Sequence, residues 1–301
     1  MLQTRRLYHF LAIANSGSIT QAAEQIGVTQ PALTRSLKQL ENELNVMLVE
    51  RKPGGIELTP EGKILARRVK LMNLEYQHAL AEISEWSRGV RGRLNIAAGP
   101  TWICWILPPV IAEFQQAYPD IRVSLTGGGF ESQMERLLSG DVDAVCGTLD
   151  FPAHAELVKE PLTRLRHTII ARKGHPLASG EMVTPTDIAR FSWVILSDDH
   201  VSSGRIGAYF VANGLEPPKV VVETNAFGAL FLVRSSDLLT TFASAAGPVL
   251  KELSLTTIRH PGTFWDFEAG LTRLKTTRPS AALNAFRTIL RSHLADRQVG
   301  P

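Results

Sequence analysis

Apolar and polar positions follow two different periodicities along this chain, and the periodicity changes near residue 93. Before it, apolar side chains recur every three or four positions, which predicts amphipathic helices. After it, short apolar runs typical of strands alternate with helical segments. Such alternation over roughly 200 residues predicts parallel sheets with helices on both faces, and the length favours two α/β lobes over one.

The segment 18–38 predicts two short helices joined by a tight turn. Ser18 and Thr29 are suited to cap the two helices, and Gly27 can take the left-handed backbone that ends the first. Leucines in the second helix form one buried stripe, while polar side chains occupy another face. A helix built in this way fits the DNA major groove, so the segment predicts a helix-turn-helix domain. A solvated face on an ordinary helix is the alternative, which the preceding capped helix and turn disfavour.

Two short apolar runs, 46–49 and 55–58, flank a basic tip and predict a two-stranded wing. Thr59 and Pro60 favour the start of a long helix that runs to about residue 88. Its apolar positions lie close to a heptad spacing, which favours a dimeric coiled coil. The predicted domains are a winged helix-turn-helix at 1–58, a linker helix at 59–90 and a two-lobed region at 91–301, with lobe I at about 91–164 and 268–301 and lobe II at about 165–267.

Charge is unevenly distributed between these regions. Residues 1–93 carry 13 basic and 9 acidic side chains, a net charge of +4, whereas the remaining residues sum to −1. A basic excess beside the candidate helix-turn-helix suits contact with DNA phosphates. The N-terminal segment lacks the features of a signal peptide and no window is long enough to cross a membrane. We therefore expect a cytoplasmic protein with no membrane partner.

The reactive side chains form no recognisable catalytic or metal motif. Cys104 and Cys146 lack metal-ligand spacing, so buried thiols are the expectation and a redox switch is the alternative. Asp199, His200 and Ser202 are neighbours in sequence, and such neighbours seldom form a working triad. The chain has no Walker motif, zinc-protease motif or nucleophile elbow. We therefore expect no enzyme activity, no metal and no cofactor.

A small-molecule ligand is expected where the carboxyl ends of the strands meet, because open α/β sheets bind ligands there. The loops after the strands carry hydroxyls and helix-start amides, which favour an anionic or carbonyl-bearing organic molecule. Trp102 and Phe227 are suited to cover its apolar part. The candidate effector-binding residues are Thr101, Trp102, Thr126, Gly127, Gly128, Thr148, Asp199, His200, Val201, Ser202, Asn225 and Phe227.

With these elements in place, the chain resembles the LysR-type transcriptional regulators over its whole length. The specific part of the match lies at Phe10, Ser16–Ser18, Ala22–Ala23, Thr29–Arg35, Leu40–Glu41, Leu48, Arg51, Leu58–Thr59 and Gly62. A looser part lies at Gly140–Asp143 and His175–Leu177. Three departures are Asn45 where the family usually has Gly, Val49 where it usually has Phe, and Ser235–Leu239 in place of a Gly-rich stretch.

The resemblance implies an α/β protein with an all-α N-terminal winged helix-turn-helix. It also implies two Rossmann-like lobes similar to type 2 periplasmic binding proteins. Family members are usually dimers of dimers on an interrupted palindrome, and a small molecule between the lobes alters their DNA contacts. The implied partners are promoter DNA, a second copy held through the linker helix, a homotetramer, a small-molecule effector and RNA polymerase. A DNA-binding regulator without ligand response is the alternative.

Carried over by position, the resemblance places Gln30, Pro31, Thr34 and Arg35 near bases. Thr29 and Lys38 would contact the DNA backbone, and Arg51 would lie in the wing. The full set of candidate DNA-binding residues is Ser18, Thr29, Gln30, Pro31, Thr34, Arg35, Lys38, Arg51 and Lys52.

Overall fold

The computed structural model describes residues 4–52, 55–88, 92–197, 199–261, 264–275 and 278–298. It divides into two compact units, one comprising residues 1–80 and 138–141 and the other residues 81–137 and 142–301. Within the described part of the chain, no helix is both long and apolar enough to cross a membrane.

The N-terminal fold has helices on either side of a short turn, followed by a β-hairpin and a long helix. Its elements are α1 (Thr4–Ser16), α2 (Ile19–Gln25), α3 (Gln30–Leu44), β1 (Val49–Lys52), β2 (Gly55–Leu58) and α4 (Pro60–Arg88). Gly27, between α2 and α3, has a φ of +68°, as its place after the first helix predicts. Phe10, Ile13, Leu33 and Leu37 are buried together in the core that these helices share.

The hairpin forms the predicted wing, but the predicted first strand at 46–49 is wrong. The strand begins at Val49 and pairs antiparallel with β2, while Val46 and Met47 are exposed. Asn45 ends α3 in the left-handed conformation, and the Glu41 carboxylate then accepts a hydrogen bond from the Leu48 backbone N–H at 2.9 Å. Val46 and Met47, whose hydrophobicity predicts a strand, therefore lie in this turn.

The second unit contains strands and helices in alternation, with two long strands that run through it. Its strands are β3 (Gly92–Ala98), β4 (Ile121–Gly127), β5 (Ala144–Thr148), β6 (Leu157–Arg172), β7 (Trp193–Leu196), β8 (Val220–Thr224), β9 (Thr240–Ala243), β10 (Leu255–Ile258) and β11 (Trp265–Leu274). Its helices are α5 (Leu107–Ala117), α6 (Phe130–Leu138), α7 (Pro185–Ile188), α8 (His200–Ala212), α9 (Ala226–Arg234), α10 (Gly247–Glu252) and α11 (Ala281–Gln298). A π-helical turn (Trp102–Ile106) precedes α5.

The prediction of parallel sheets is correct for part of the structure and wrong for the long strands. The larger sheet has the order β10-β6-β11-β5-β3-β4, with β9 also on β6. Among the strands that the structure describes, the parallel pairs are β3 with its two neighbours and β7 with β8 in a separate sheet. The described residues between β5 and β6, and between β10 and β11, contain no helix, so neither connection is the crossover that adjacent parallel strands need. Apolar runs at 168–171 and 269–274 predicted only the C-terminal parts of β6 and β11, and no run predicted β10.

Separate cores define the two lobes. In lobe I, Leu94 and Ile96 of β3 pack with Phe114 of α5 and Phe286 of α11. In lobe II, Trp193 of β7 belongs to one of two buried clusters and Val194, which points to the opposite face of that strand, belongs to the other. The long strands β6 and β11 contribute side chains to both lobes, and this shared sheet places a cleft at the carboxyl ends of the shorter strands.

Candidate functional site

The outer face of α3 presents polar and basic side chains above a buried apolar face. Gln30, Pro31, Arg35 and Lys38 are exposed and Thr34 is half-buried. The Gln30 Nε2 donates a hydrogen bond to the Thr34 Oγ1 at 3.1 Å, so these two side chains are held as a pair. Guanidinium and amide groups on an exposed helix can make paired hydrogen bonds with base edges. This face therefore has the chemistry that DNA base recognition requires.

A buried hydrogen bond holds α3 against α1. The His9 Nδ1 lies 2.9 Å from the Ser36 Oγ, and both side chains are buried on the side of α3 opposite the polar face. Burial, and to a smaller extent the charge of Arg5, lowers the pKa of His9 and favours the neutral imidazole. Sequence reasoning missed this contact, although a histidine beside the core residue Phe10 was a visible signal.

The remaining candidate DNA-binding residues lie around α3. Thr29 and Ser18 cap α3 and α2, accepting hydrogen bonds from the backbone N–H groups of Ala32 and Gln21. In the wing, Lys52 lies 3.7 Å from the Glu50 carboxylate, and the Arg51 side chain lies outside the described residues. The Ile56 N–H donates to the Gly17 carbonyl at 2.9 Å, which ties the wing to the turn before α2.

The second site is a cavity between the lobes of the second unit, here called the main cavity. It encloses about 870 Å³ including its open mouth, which is within the range of small-molecule sites. An adjoining cavity of about 1130 Å³, likewise open, shares part of its wall. Seven candidate effector-binding residues line the main cavity: Thr101, Trp102, Gly128, Thr148, Asp199, Val201 and Ser202.

The structure places the other candidates elsewhere. Gly127, Asn225 and Phe227 line the adjoining cavity, and Phe227 is 71% exposed. Thr126 lines neither cavity, and its hydroxyl lies 3.5 Å from the Ile96 carbonyl oxygen. His200 begins α8, but its side chain lies outside the described residues.

Several cavity side chains already have local hydrogen-bond partners. The Asp199 carboxylate accepts from the Ser202 N–H at 3.0 Å and caps α8, and Asn225 caps α9 through the Gly228 N–H. At the start of each of these two helices, one backbone N–H group therefore already has a side-chain acceptor. Trp102 is only 2% exposed and packs in the core of lobe I, where its Nε1 has no hydrogen-bond partner among the residues that the structure describes.

The floor of the main cavity is aromatic, and its central residues were not predicted. His167 on β6 and Trp265 on β11 are direct cross-strand neighbours, and their rings stack with centroids 4.3 Å apart. The Phe267 ring lies 5.3 Å from His167. The His167 Nδ1 is 3.4 Å from the Thr241 Oγ1, and desolvation lowers the pKa of His167 to about 3. The imidazole is therefore neutral at physiological pH and contributes no charge to the cavity.

Gln133 and Arg205 also line the main cavity without having been predicted. The buried Gln133 on α6 donates from Nε2 to the Gly128 carbonyl at 2.6 Å, which holds the glycine loop at the cavity wall. Arg205 lies one turn into α8 and its side chain is exposed. These residues lie inside helices, and the sequence pattern had directed attention to the loops before them.

The two cysteines differ in location but not in protonation. Cys104 lines the adjoining cavity, whereas Cys146 is fully buried in β5. Burial raises the pKa of both thiols, so neither has the thiolate character of a reactive cysteine. Among the described residues, no cluster of His, Cys, Asp and Glu side chains is arranged to hold a metal ion.

Comparison with known proteins gives matches along most of the chain. Residues 4–63 match the family model described as bacterial regulatory helix-turn-helix protein, lysR family, and residues 87–295 match the LysR substrate binding domain. A relative from Bacillus subtilis, the HTH-type transcriptional regulator CysL, is 32% identical over 69% of each chain. The HTH-type transcriptional regulator PcaQ of Agrobacterium fabrum is 27% identical over 96% of this chain and 94% of its own.

Solved structures share the fold at lower identity. Full-length CbnR, crystallised with its target DNA, is 23% identical and matches with a TM-score of 0.66 over 97% of this chain and 100% of its own. Full-length OxyR C199D from Pseudomonas aeruginosa is 18% identical, with a TM-score of 0.69 over 98% of this chain and 95% of its own. These two likenesses concern the fold alone.

Proposed function

Because the chain belongs to the LysR family of DNA-binding transcriptional regulators, we propose that a small organic acid or aromatic compound binds between its lobes and changes its contacts with promoter DNA. The family is one of regulators and not of enzymes. The observation that carries the proposal is the main cavity, whose aromatic floor lies on strands that contribute to both lobes. A ligand seated there would touch both lobes at once.

The DNA-contacting part of the proposal rests on α3. Arg35 and Lys38 are exposed and make no ion pair with the described residues, so both are available to a duplex. Gln30 and Arg35 would read base edges in the major groove, whereas Lys38 would contact a phosphate. Ser18 and Thr29 would contribute from the helix starts, and Lys52 from the wing.

We further propose that α4 joins two copies and that two such dimers associate on an interrupted palindrome. The helix is 29 residues long, and its described apolar side chains include Ile64, Met72 and Tyr76, all of them exposed in the single chain. A second copy packed along this helix would bury them. Sedimentation of the full chain over a range of concentrations would separate monomer, dimer and tetramer.

The test is a footprint of the full chain on the intergenic DNA upstream of its own gene, with and without a panel of organic acids and aromatic compounds. We expect protection of an interrupted palindrome, altered by at least one compound. Protection that no compound alters would support a regulator without ligand response. Absence of protection at any sequence would contradict the DNA-binding assignment of α3.

A further inference from the structure

Two charged side chains of opposite sign line the main cavity without partners. Arg205 on α8 belongs to lobe II, and Asp150 follows β5 in lobe I. Neither side chain makes a hydrogen bond or ion pair with a described residue, and they do not pair with each other. Opposite charges that could neutralise one another but remain apart across one cavity suit a ligand that carries both complementary charges.

The rest of the cavity adds one negative charge, on the Asp199 carboxylate. His167 is neutral for the reason given above, and one oxygen of Asp199 is occupied by the α8 cap. A ligand with a carboxylate alone would therefore meet one guanidinium and two carboxylates, which is an unfavourable balance for a simple anion. A ligand that also carries an ammonium group reduces this imbalance, because the ammonium can lie beside Asp150 while the carboxylate lies beside Arg205.

The uncharged part of the ligand is indicated by the cavity floor. His167 and Trp265 present stacked rings, and Phe267 and Leu165 extend the apolar surface along β11 and β6. A planar aromatic group gains both buried area and favourable ring geometry on such a surface. An aliphatic chain of the same length would gain only the first.

We infer that the main cavity binds an aromatic amino acid or a similarly built aromatic zwitterion, with its ring on the His167–Trp265 floor, its carboxylate toward Arg205 and its ammonium toward Asp150. This inference rests on the proposed effector-binding function and specifies its ligand. Since Asp150 and Arg205 belong to different lobes, the same molecule would connect the two lobes through its own charges. Asp150 and Arg205 are thus specificity-determining residues.

The experiment is calorimetric titration of the full chain with L-phenylalanine, L-tyrosine and L-tryptophan, each beside its analogue without the amino group and its analogue without the carboxylate. We expect one amino acid to bind at least about tenfold more tightly than both of its analogues, since each analogue leaves one cavity charge unmatched. The variant Asp150→Asn should abolish the preference over the deaminated analogue, and Arg205→Gln the preference over the decarboxylated one.

Matched controls are Glu216→Gln and Lys219→Gln, which remove exposed charges in lobe II that line neither cavity. Both should retain both preferences, and thermal unfolding should show that all four variants fold. Equal binding of an amino acid and its deaminated analogue would overturn the inference. So would binding of aliphatic or dianionic acids in place of every aromatic amino acid, although the proposed effector function would then stand. Failure of every compound in the wider panel would count against both.

Discussion

The polar face of α3 and the main cavity both combine apolar and polar side chains, but they arrange them in opposite ways. On α3 the apolar side chains face inward and the polar ones are presented to solvent, with a buried histidine contact behind them. In the cavity the aromatic side chains face the ligand space, and several polar groups are already used as helix caps. The first suits a large polar ligand, and the second suits a small molecule with an apolar body.

The two histidines show this difference most clearly. His9 and His167 both have a lowered pKa because both are desolvated. His9 supports α3 from behind through Ser36, whereas His167 forms part of the surface that a ligand would touch. A neutral imidazole is therefore a structural support in one region and a recognition surface in the other.

The largest expected effect comes from removing the buried side of α3. Leu33→Ala deletes a fully buried side chain and should lower the free energy of unfolding of the N-terminal unit by about 2–5 kcal/mol. DNA binding should weaken with it, while ligand binding in the cavity is unchanged. Denaturant unfolding measures the loss, and Tyr8→Ala at an exposed position of α1 is the control. Equal losses of unfolding free energy in both variants would mean that burial of Leu33 does not stabilise the N-terminal core.

The next effect is a pH dependence of stability in the second unit. The pKa of His167 falls from 6.5 to about 3 on folding, so below pH 6.5 the unfolded chain binds a proton that the folded chain does not. Stability should therefore decline as the pH falls from about 6.5 toward about 3, by at most about 1.4 kcal/mol per pH unit from this residue. His167→Gln should flatten the profile in unfolding experiments, and an unchanged slope would assign it to other groups.

A smaller effect is expected at the exposed face of α3. Arg35→Ala should cost about 1–3 kcal/mol on specific DNA and relax the preference for one base pair, because a guanidinium can make paired hydrogen bonds to guanine. Titration of operator and random duplexes measures the difference. Lys219→Ala, which removes an exposed charge in lobe II, is the control. Unchanged discrimination between the two duplexes would remove Arg35 from base recognition.

The smallest effect should come from the Gln30–Thr34 pair. Thr34→Val removes the hydroxyl that accepts from Gln30 and keeps the side-chain shape, so we expect a loss of about 1 kcal/mol confined to one base pair. Thr34→Ser keeps the hydroxyl and should restore the preference. A uniform loss across all sequences would indicate a phosphate contact by Thr34 instead.

Much of the N-terminal fold was predictable because its signals are local. The caps Ser18 and Thr29, the left-handed Gly27 and the leucine spacing of α3 all act within a few residues, and the structure confirms each of them. The wing was harder, since the start of β1 depends on the contact between Glu41 and Leu48.

The sequence predicted the location of the cavity but not the side chains of its floor. The loops after β3, β5 and β7 do line it, because the carboxyl ends of neighbouring parallel strands meet. Its floor was missed, because β6 and β11 had been expected as shorter strands in parallel sheets. Nothing in the sequence near His167 indicates that Trp265, almost a hundred positions away, lies directly opposite.

By itself the sequence determined the helix-turn-helix, the family and the two-lobed α/β class, because spacing and capping act over short distances. Only the tertiary structure decided which side chains share the cavity. Antiparallel pairing of β6 with β11 sets the register that stacks His167 on Trp265, and burial there makes the imidazole neutral. Register and desolvation are properties of the assembled chain, so they appear only when the strands are brought together.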